Sequence, residues 1–335
     1  MDALSHEHLV LLFGGLMGVA IMAYVLLDGY DLGVGVLLSR AKGHARDEMV
    51  NAIAPFWDAN ETWLVLGGGI LLVAFPLAHG IILKELYIPV LVMLVGLILR
   101  GTAFELRVKS PPERLEAWNT LFIVGSATAA LAQGFMLGQF VVAFRTDPSA
   151  LFFACLVAPA LVAGYALLGA SWLLIKTEGE LQRRAAAWAQ TALWLTAAAM
   201  AAVSVATPLV SPRILEKWLA LDAAPWMLAL AVLVGAGVVG LSRWLARFEP
   251  ARDDSRAWLP LAVTVGLFLL SGAGLAYSAF PYLVIDQLTL WDAAASDDTL
   301  RMILLGVVII LPPIILYSAF SYRIFGGKTT HLEEA

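Results

Sequence analysis

Long apolar runs broken by short polar ones define this chain from end to end. Nine runs are candidates to cross the roughly 30 Å hydrocarbon core of a bilayer: 9–38, 51–78, 85–99, 118–144, 150–175, 188–210, 225–244, 259–279 and 302–320. The third is short and is expected to extend into a neighbouring loop. The pattern predicts an all-α polytopic membrane protein with about nine transmembrane helices. The expected arrangement is two four-helix bundles plus one peripheral helix, in a single integral membrane domain over 1–335. Its first helical half covers 1–145, and its second, carrying the last helix, covers 146–335. No internal repeat marks the division, and the loops are too short to fold alone.

Composition strengthens this reading. Of 335 residues, 61% are hydrophobic and 14% charged, whereas a soluble domain is nearer half apolar and a quarter charged. The mean hydropathy is +0.84. With most of the surface facing lipid, the net charge of −5 selects no partner, and nucleic acid drops out as a ligand. MDALSHEH lacks the basic start and small-residue cleavage site of a signal peptide, so the first run is expected to be retained. Cys155 is the single cysteine; it rules out an internal disulfide and is expected as a small buried hydrophobe.

The distribution of charge gives an orientation. Of the 21 basic residues, sixteen fall in the loops after runs one, three, five and seven or in the C-terminal tail, and five on the other side. The positive-inside rule then puts the N-terminus outside and the C-terminus in the cytoplasm, which requires an odd number of spans. Trp118, Trp218, Trp226, Trp244 and Trp258 sit near run ends, as interfacial aromatics do.

Candidate chemistry concentrates in three stretches. DGYDLGVG, 28–35, places two carboxylates among three glycines inside the first run. On a helix, Asp28, Asp31 and Gly35 fall within a sector of about 60°. Gly29 and Gly33 flank that face, where small residues let another helix approach closely. A carboxylate facing lipid is too costly to stand unpaired, so three readings stand. The pair reaches the headgroups, or pairs with a Lys or Arg of another helix, or belongs to a proton or ion path. Arg40 and Lys42 follow within about 15 Å of helix rise, which favours the cytoplasmic half.

The second stretch, NAIAPFWDANETWLVLGGG at 51–69, again sets two acids three apart, Asp58 and Glu61, with Asn60 between them and Trp57 and Trp63 around them. If the helix begins near Asn51, Asp58 lies roughly 10 Å inside it; if Pro55 opens it, Asp58 sits in the first turn, where a carboxylate suits the helix dipole. The third stretch, LRGTAFELR, closes run three with Arg100, Glu105 and Arg107. These supply counter-charge for the acids, or simply snorkel to the interface.

Absent motifs narrow the field. Membrane haem proteins place ligands such as His or Met inside spans, but His6, His8, His44 and His331 lie in termini or loops, and His79 closes the second run at the outer surface. Met136 reads as apolar filling. No CxxCH, HExxH or Walker sequence occurs. Polar groups on a proton route without a metal suit a transporter or the non-redox subunit of a larger machine.

Taken in order, DGYDLGVG, APFWDANETWLV, RGTAFELR, LTLWDAAASDDTL and PPIILYSAFSYRIFG resemble subunit II of the cytochrome bd-type quinol oxidases, over the whole chain and with similar spacing. The short loops and Glu61 resemble the cyanide-insensitive branch. The resemblance implies a non-haem-ligating subunit of a terminal oxidase in the bacterial cytoplasmic membrane, paired with a larger haem-binding subunit I and often a very small third subunit. The complex it implies oxidises ubiquinol or menaquinol and reduces dioxygen to water. It generates proton-motive force without pumping, because protons consumed at the oxygen site come from the cytoplasm while quinol protons leave on the other side. Haem b558, haem b595 and haem d are expected on subunit I, with no catalytic and no metal-ligating residue in this chain. A structural quinone or lipid bound to this chain is a further expectation left open. The resemblance also implies a cytoplasmic proton path close to subunit II. Asp58 of the WDxN motif takes part in it, Asp28 and Asp31 support it, and Glu61, where some relatives carry an amide, is an extra proton stop or faces the partner. Trp57, Asn60, Trp63, Arg100, Glu105 and Arg107 form the expected interface or polar network. The alternative is a proton-coupled secondary transporter, which predicts a midplane cavity lined by broken helices in paired repeats; a pure scaffold subunit is the third reading.

Overall fold

Lipid offers no partner to a backbone amide, so apolar runs of this length satisfy their hydrogen bonds internally, as helices. The computed structural model describes residues 5–221 and 223–329; His331 lies outside them. Helix α1 (His6–Leu37) crosses first, α2 (His44–Asn51) turns the chain at the near end, and α3 (Trp57–Ala74) returns. There the chain bends by 119° into α4 (Pro76–Glu85). The bend is chemical: Pro76 has no amide to continue the ladder, and the residue before a proline is pushed out of helical geometry, as Phe75 is at φ −133°, ψ 58°. The run at 51–78 is therefore a turn, a helix and a sharp corner. Helix α5 (Tyr87–Val108) extends the short third run on its C-terminal side.

Helices α6 (Leu115–Val141), α7 (Pro148–Lys176) and α8 (Gly179–Val210) follow, then a short α9 (Pro212–Leu219), α10 (Ala224–Leu245), the single turn α11 (Pro250–Asp253) and α12 (Leu259–Ala279). At the far end, strands β1 (Tyr282–Val284) and β2 (Leu288–Thr289) pair antiparallel with Tyr282 opposite Thr289. A single-turn α13 (Leu290–Ala293) leads into the last helix, α14 (Asp297–Ile324). Among the described residues eight helices are long and apolar enough to cross a membrane, nine if the bent α3–α4 pair makes one span. The all-α polytopic architecture expected from the run pattern is the one observed.

Helix α1 is the hub. It packs on α3, α6 and α7, while α5 closes on α6. A second group, α7, α8, α10 and α12, forms its own ring and joins the first through α1–α7 and α6–α7. Helix α14 lies outside both, against α3 and α1. Large apolar side chains point outward, with Val65, Ile98, Phe152, Met302 and Ile309 each more than 60% exposed; in water this would be an aggregation surface, in a bilayer it is the solvated one. Cys155 shares this outward stripe of α7 with Leu151 and Phe152 and is exposed, not buried as expected.

The glycines of DGYDLGVG account for the hub. A Cβ on Gly33 would stand 1.8 Å from the Tyr165 carbonyl oxygen of α7, and one on Gly35 would stand 2.1 Å from Ser126 Oγ of α6. Only a bare backbone lets both helices close on α1 there, and their closure buries the acids between the glycines.

Candidate functional site

Three helices bring polar groups to a common depth near one end of the bundle. Measured along each axis at 1.5 Å per residue, Asp28 and Asp31 lie about 14 and 9 Å from the end of α1. Glu61 lies about 6 Å into α3, and Arg100 about 12 Å before the end of α5.

Arg100 is the centre of this group. It is 1% exposed, and its guanidinium donates through Nη1 to Asp28 Oδ1 at 2.7 Å and through Nη2 to Glu61 Oε1. Arg is suited to this because its planar fork can serve two acceptors in fixed directions and keeps its charge when buried. Asp28 and Asp31 are both fully buried, and Glu61 is half-buried. One guanidinium thus faces three carboxylates. It balances one negative charge; of the two fully buried carboxylates, the one left over requires a proton or a cation from elsewhere, since an uncompensated ion at this depth is prohibitively costly, while Glu61 keeps 30% of its side chain exposed. Asp28 Oδ2 and Asp31 Oδ1 make no hydrogen bond among the described residues.

Asp31 is met instead by an amide. Asn60 Nδ2 donates to Asp31 Oδ2 at 2.8 Å and to Tyr30 Oη at 2.7 Å. Tyr322, from the last turn of α14, pairs its hydroxyl with that of Tyr30 at 2.6 Å and donates to Asn60 Oδ1 at 3.1 Å. On the other side, the Tyr24 hydroxyl lies near enough to Asp28 to feel its charge. It accepts from Gln133 Nε2 at 2.7 Å, and Tyr165 Oη donates to Gln133 Oε1 at 2.6 Å. Polar groups from α1, α3, α5, α6, α7 and α14 are thereby linked to one carboxylate cluster.

The structure brings together Asp28, Asp31, Asn60, Glu61 and Arg100. Asp58 stands apart: α3 begins at Trp57, so Asp58 falls in the first turn and is exposed. It remains close enough to Glu61 to act on it electrostatically. Trp57 packs on Phe104 at 5.0 Å, and Trp63 is buried beside Ala20 and Tyr24, its indole N–H unpaired among the described residues. Arg107 belongs to a different set, donating to Asp47 and, at 2.7 Å, to Asn119 Oδ1. Glu105 faces outward toward Lys109 at 4.0 Å and supplies nothing to the cluster. It lies five residues, well over one helical turn, beyond Arg100, and so on a different face. Tyr24, Tyr30, Gln133, Tyr165 and Tyr322 were not singled out from the sequence; the one available signal was hydroxyl and amide side chains set within apolar runs.

Haem axial ligation takes His, Met, Cys or Tyr. His6 and His8 sit in the exposed first turn of α1, His44 at the exposed start of α2 and His79 on the half-buried surface of α4. Met136 is half-buried among apolar neighbours of α6, and Cys155 points to lipid. None of the four described histidines is buried inside a span, and no group of three His, Cys, Asp or Glu among the described residues could hold a metal.

Comparison with known proteins agrees with this picture. The family model for "Cytochrome bd terminal oxidase subunit II" matches residues 9–325. The chain is 28% identical over 370 aligned residues to cytochrome bd-I ubiquinol oxidase subunit 2 of Escherichia coli strain K12, covering 98% of this chain and 97% of that one. It is 27% identical over 345 to cytochrome bd ubiquinol oxidase subunit 2 of Bacillus subtilis, covering 95% and 96%. In fold it is similar to a chain of the bd oxidase from Geobacillus thermodenitrificans, with a TM-score of 0.74 at 15% identity over 95% of this chain and 98% of that one. An apolar multi-pass helical bundle with a buried carboxylate cluster is accounted for once the whole chain is placed: it belongs to the cytochrome bd terminal oxidase subunit II family and serves as the second subunit of a membrane quinol:oxygen oxidoreductase.

Proposed function

We propose that this subunit conducts protons toward the oxygen-reducing site of its complex through the cluster of Glu61, Arg100, Asp28 and Asp31. The observation that carries this reading is the charge imbalance: three carboxylates around a single guanidinium, two of them fully buried. A set that must hold protons to be tolerated can also pass them on. Exposed Asp58, one turn before half-buried Glu61, is the collecting group, and Glu61 hands protons to the carboxylates around Arg100. The cytoplasm is the source, in line with the excess of basic residues on the loops at that end, so the N-terminus faces outward and the C-terminus inward. Haem b558, haem b595 and haem d reside on subunit I, a reading supported by the exposed or half-buried placement of this chain's described histidines. The complex then builds proton-motive force by taking protons from one side and releasing quinol protons on the other, without pumping.

Vesicles carrying the purified heterodimer in one orientation test this. With quinol and oxygen supplied, protons consumed on the cytoplasmic face should equal the electrons delivered to oxygen, and release on the other face should equal the quinol protons. Release exceeding quinol oxidation would mean pumping; uptake from the outer face would reverse the proposed route. The transporter alternative finds no place in a chain of this family.

A further inference from the structure

Helix α14 is the least embedded of the long helices: among its residues only Leu300 and Ser321 are buried, and it rests on the outside of α3 and α1. Yet its last turn reaches the cluster. The three groups it joins there form a closed cycle in which each bond fixes the direction of the next. Asn60 Nδ2 is the donor here, because it faces the Leu27 carbonyl at 3.3 Å, which can only accept, and Asp31 Oδ2 at 2.8 Å. Its second hydrogen goes to Tyr30 Oη at 2.7 Å. Asn60 Oδ1 can only accept, so the Tyr322 hydroxyl donates to it at 3.1 Å; with that single proton used, the Tyr30 hydroxyl donates to Tyr322 Oη at 2.6 Å. The cycle closes with every donor matched to an acceptor.

We propose that Tyr322 is a positioning residue for Asp31: through this cycle it holds the Asn60 amide with its NH2, rather than its oxygen, against the Asp31 carboxylate. Tyr322 Oη is the donor that Asn60 Oδ1 has in the structure. Without it the amide oxygen is orphaned in a buried place, and a rotated amide becomes competitive whenever Asp31 carries a proton it can donate to that oxygen. The amide orientation and the charge on Asp31 are therefore linked, and the link runs through the C-terminal helix. The Tyr322 ring is itself held: it stacks on Phe56 at 4.7 Å, while Lys176 donates to the Phe325 carbonyl and, at 2.7 Å, to the Gly327 carbonyl just beyond it. Tyr30 is fixed from behind by stacking on Trp172 at 4.4 Å. The charged and titratable groups that face Asp31 are Asp28 on its own helix, Glu61 on α3, Arg100 on α5, and the Tyr30 and Tyr322 hydroxyls.

This rests on the proton reading only for its effect on turnover. The test uses the purified heterodimer with its partner subunit and two readouts: infrared difference spectra, in which the Asp31 carboxyl signal is assigned by its loss in Asp31→Asn, and the pH profile of quinol-dependent oxygen uptake. Tyr322→Phe keeps the ring and removes the hydroxyl. It should leave haem content unchanged, shift the Asp31 signal and displace the pH profile, with turnover changed by up to about fivefold, the scale of one hydrogen bond. Tyr30→Phe opens the cycle from α1 without touching α14 and should move the same signal by less, which keeps the test available if the α14 variant fails to assemble. In an Asn60→Leu background Tyr322→Phe should have no further effect on the signal, since the amide through which it acts is gone. An Asp31 signal unmoved in both tyrosine variants overturns the inference. A shifted signal with unchanged turnover and pH profile upholds it, and removes Asp31 from the proton route instead.

Discussion

The molecule carries two acidic pairs with the same spacing and opposite surroundings. Asp28 and Asp31 on α1 are fully buried, whereas on α3 Asp58 is exposed and Glu61 half-buried. Both pairs lie near the same end of the bundle. What separates them is the residues between and behind the acids. On α1 glycines admit the α7 backbone and the Ser126 side chain of α6 and so cover the pair. On α3 no described residue covers the Asp58 side, and an exposed carboxylate at the start of the helix is left for water or for the partner subunit. Spacing fixes which face a side chain takes; the size of its neighbours decides whether that face is closed.

The largest break in this contrast comes at Arg100. Arg100→Leu removes the cation bound to both Asp28 and Glu61 and leaves carboxylates buried without it. A loss of about 3–5 kcal/mol is expected for breaking one side of a buried ion pair. Thermal melting and haem content of the purified complex should both fall, and Arg100→Lys should recover part of each, because a single ammonium keeps the charge but not the fork. Next in size is Gly33→Ala. Its methyl meets the Tyr165 carbonyl and must part α1 from α7, at a cost of about 1–3 kcal/mol or more for overpacking. The buried pair should then behave more like the exposed one, and hydrogen exchange of the α1 amides around Asp31 should quicken.

The smallest effect sharpens the exposed side. Asp147 is another exposed carboxylate at a helix start, but its work is structural: it caps α7, accepting from the Ser149 and Ala150 amides, both at 3.2 Å. The Ser149 hydroxyl, the Ala150 amide and Arg145 hold its titration down at about 2, below the ordinary aspartate value of ~3.9. Its contribution is complete above the ordinary value and is lost as pH falls through about 2. Asp147→Ala should lower the melting temperature slightly at neutral pH, lose that difference in strong acid, and leave turnover untouched. Asp58 should show the reverse, with turnover affected and stability not.

Much of the scaffold was legible in the sequence. The apolar runs became long helices because lipid leaves the backbone no alternative, and the glycines around Asp28 and Asp31 announced a close helix approach. Of the two starts considered for the second helix, the later one is closer: Trp57 opens α3, and Asp58 sits in its first turn. The corner at Phe75–Pro76 was hidden inside an unbroken apolar run. Arg100 and Arg107 were not distinguishable by type or by face, since seven residues are close to two full turns; they differ in depth and partner, Arg100 meeting Asp28 and Glu61 while Arg107 meets Asp47 and Asn119 nearer the helix end. The tyrosines were illegible for a simpler reason. Tyr24, Tyr30, Tyr165 and Tyr322 come from α1, α7 and α14, helices far apart in the chain, and a tyrosine in an apolar run reads as packing until its hydroxyl has a neighbour. Cys155 was misjudged because an apolar run in a membrane protein has an outside as greasy as its inside.

The most direct test of proton conduction by this subunit is steady-state quinol-dependent oxygen uptake by the Asp58→Asn heterodimer at saturating quinol, with haem content measured on the same sample. Asp58 is exposed, and among the described residues its bonded group is the backbone carbonyl, to Thr62, rather than the carboxylate, so the variant should assemble with normal haem. If Asp58 gathers protons for Glu61 and the Arg100 cluster, turnover should fall roughly tenfold or more, the scale on which a proton-transferring group acts. Full turnover with full haem would contradict that role and leave the cluster as a purely structural one.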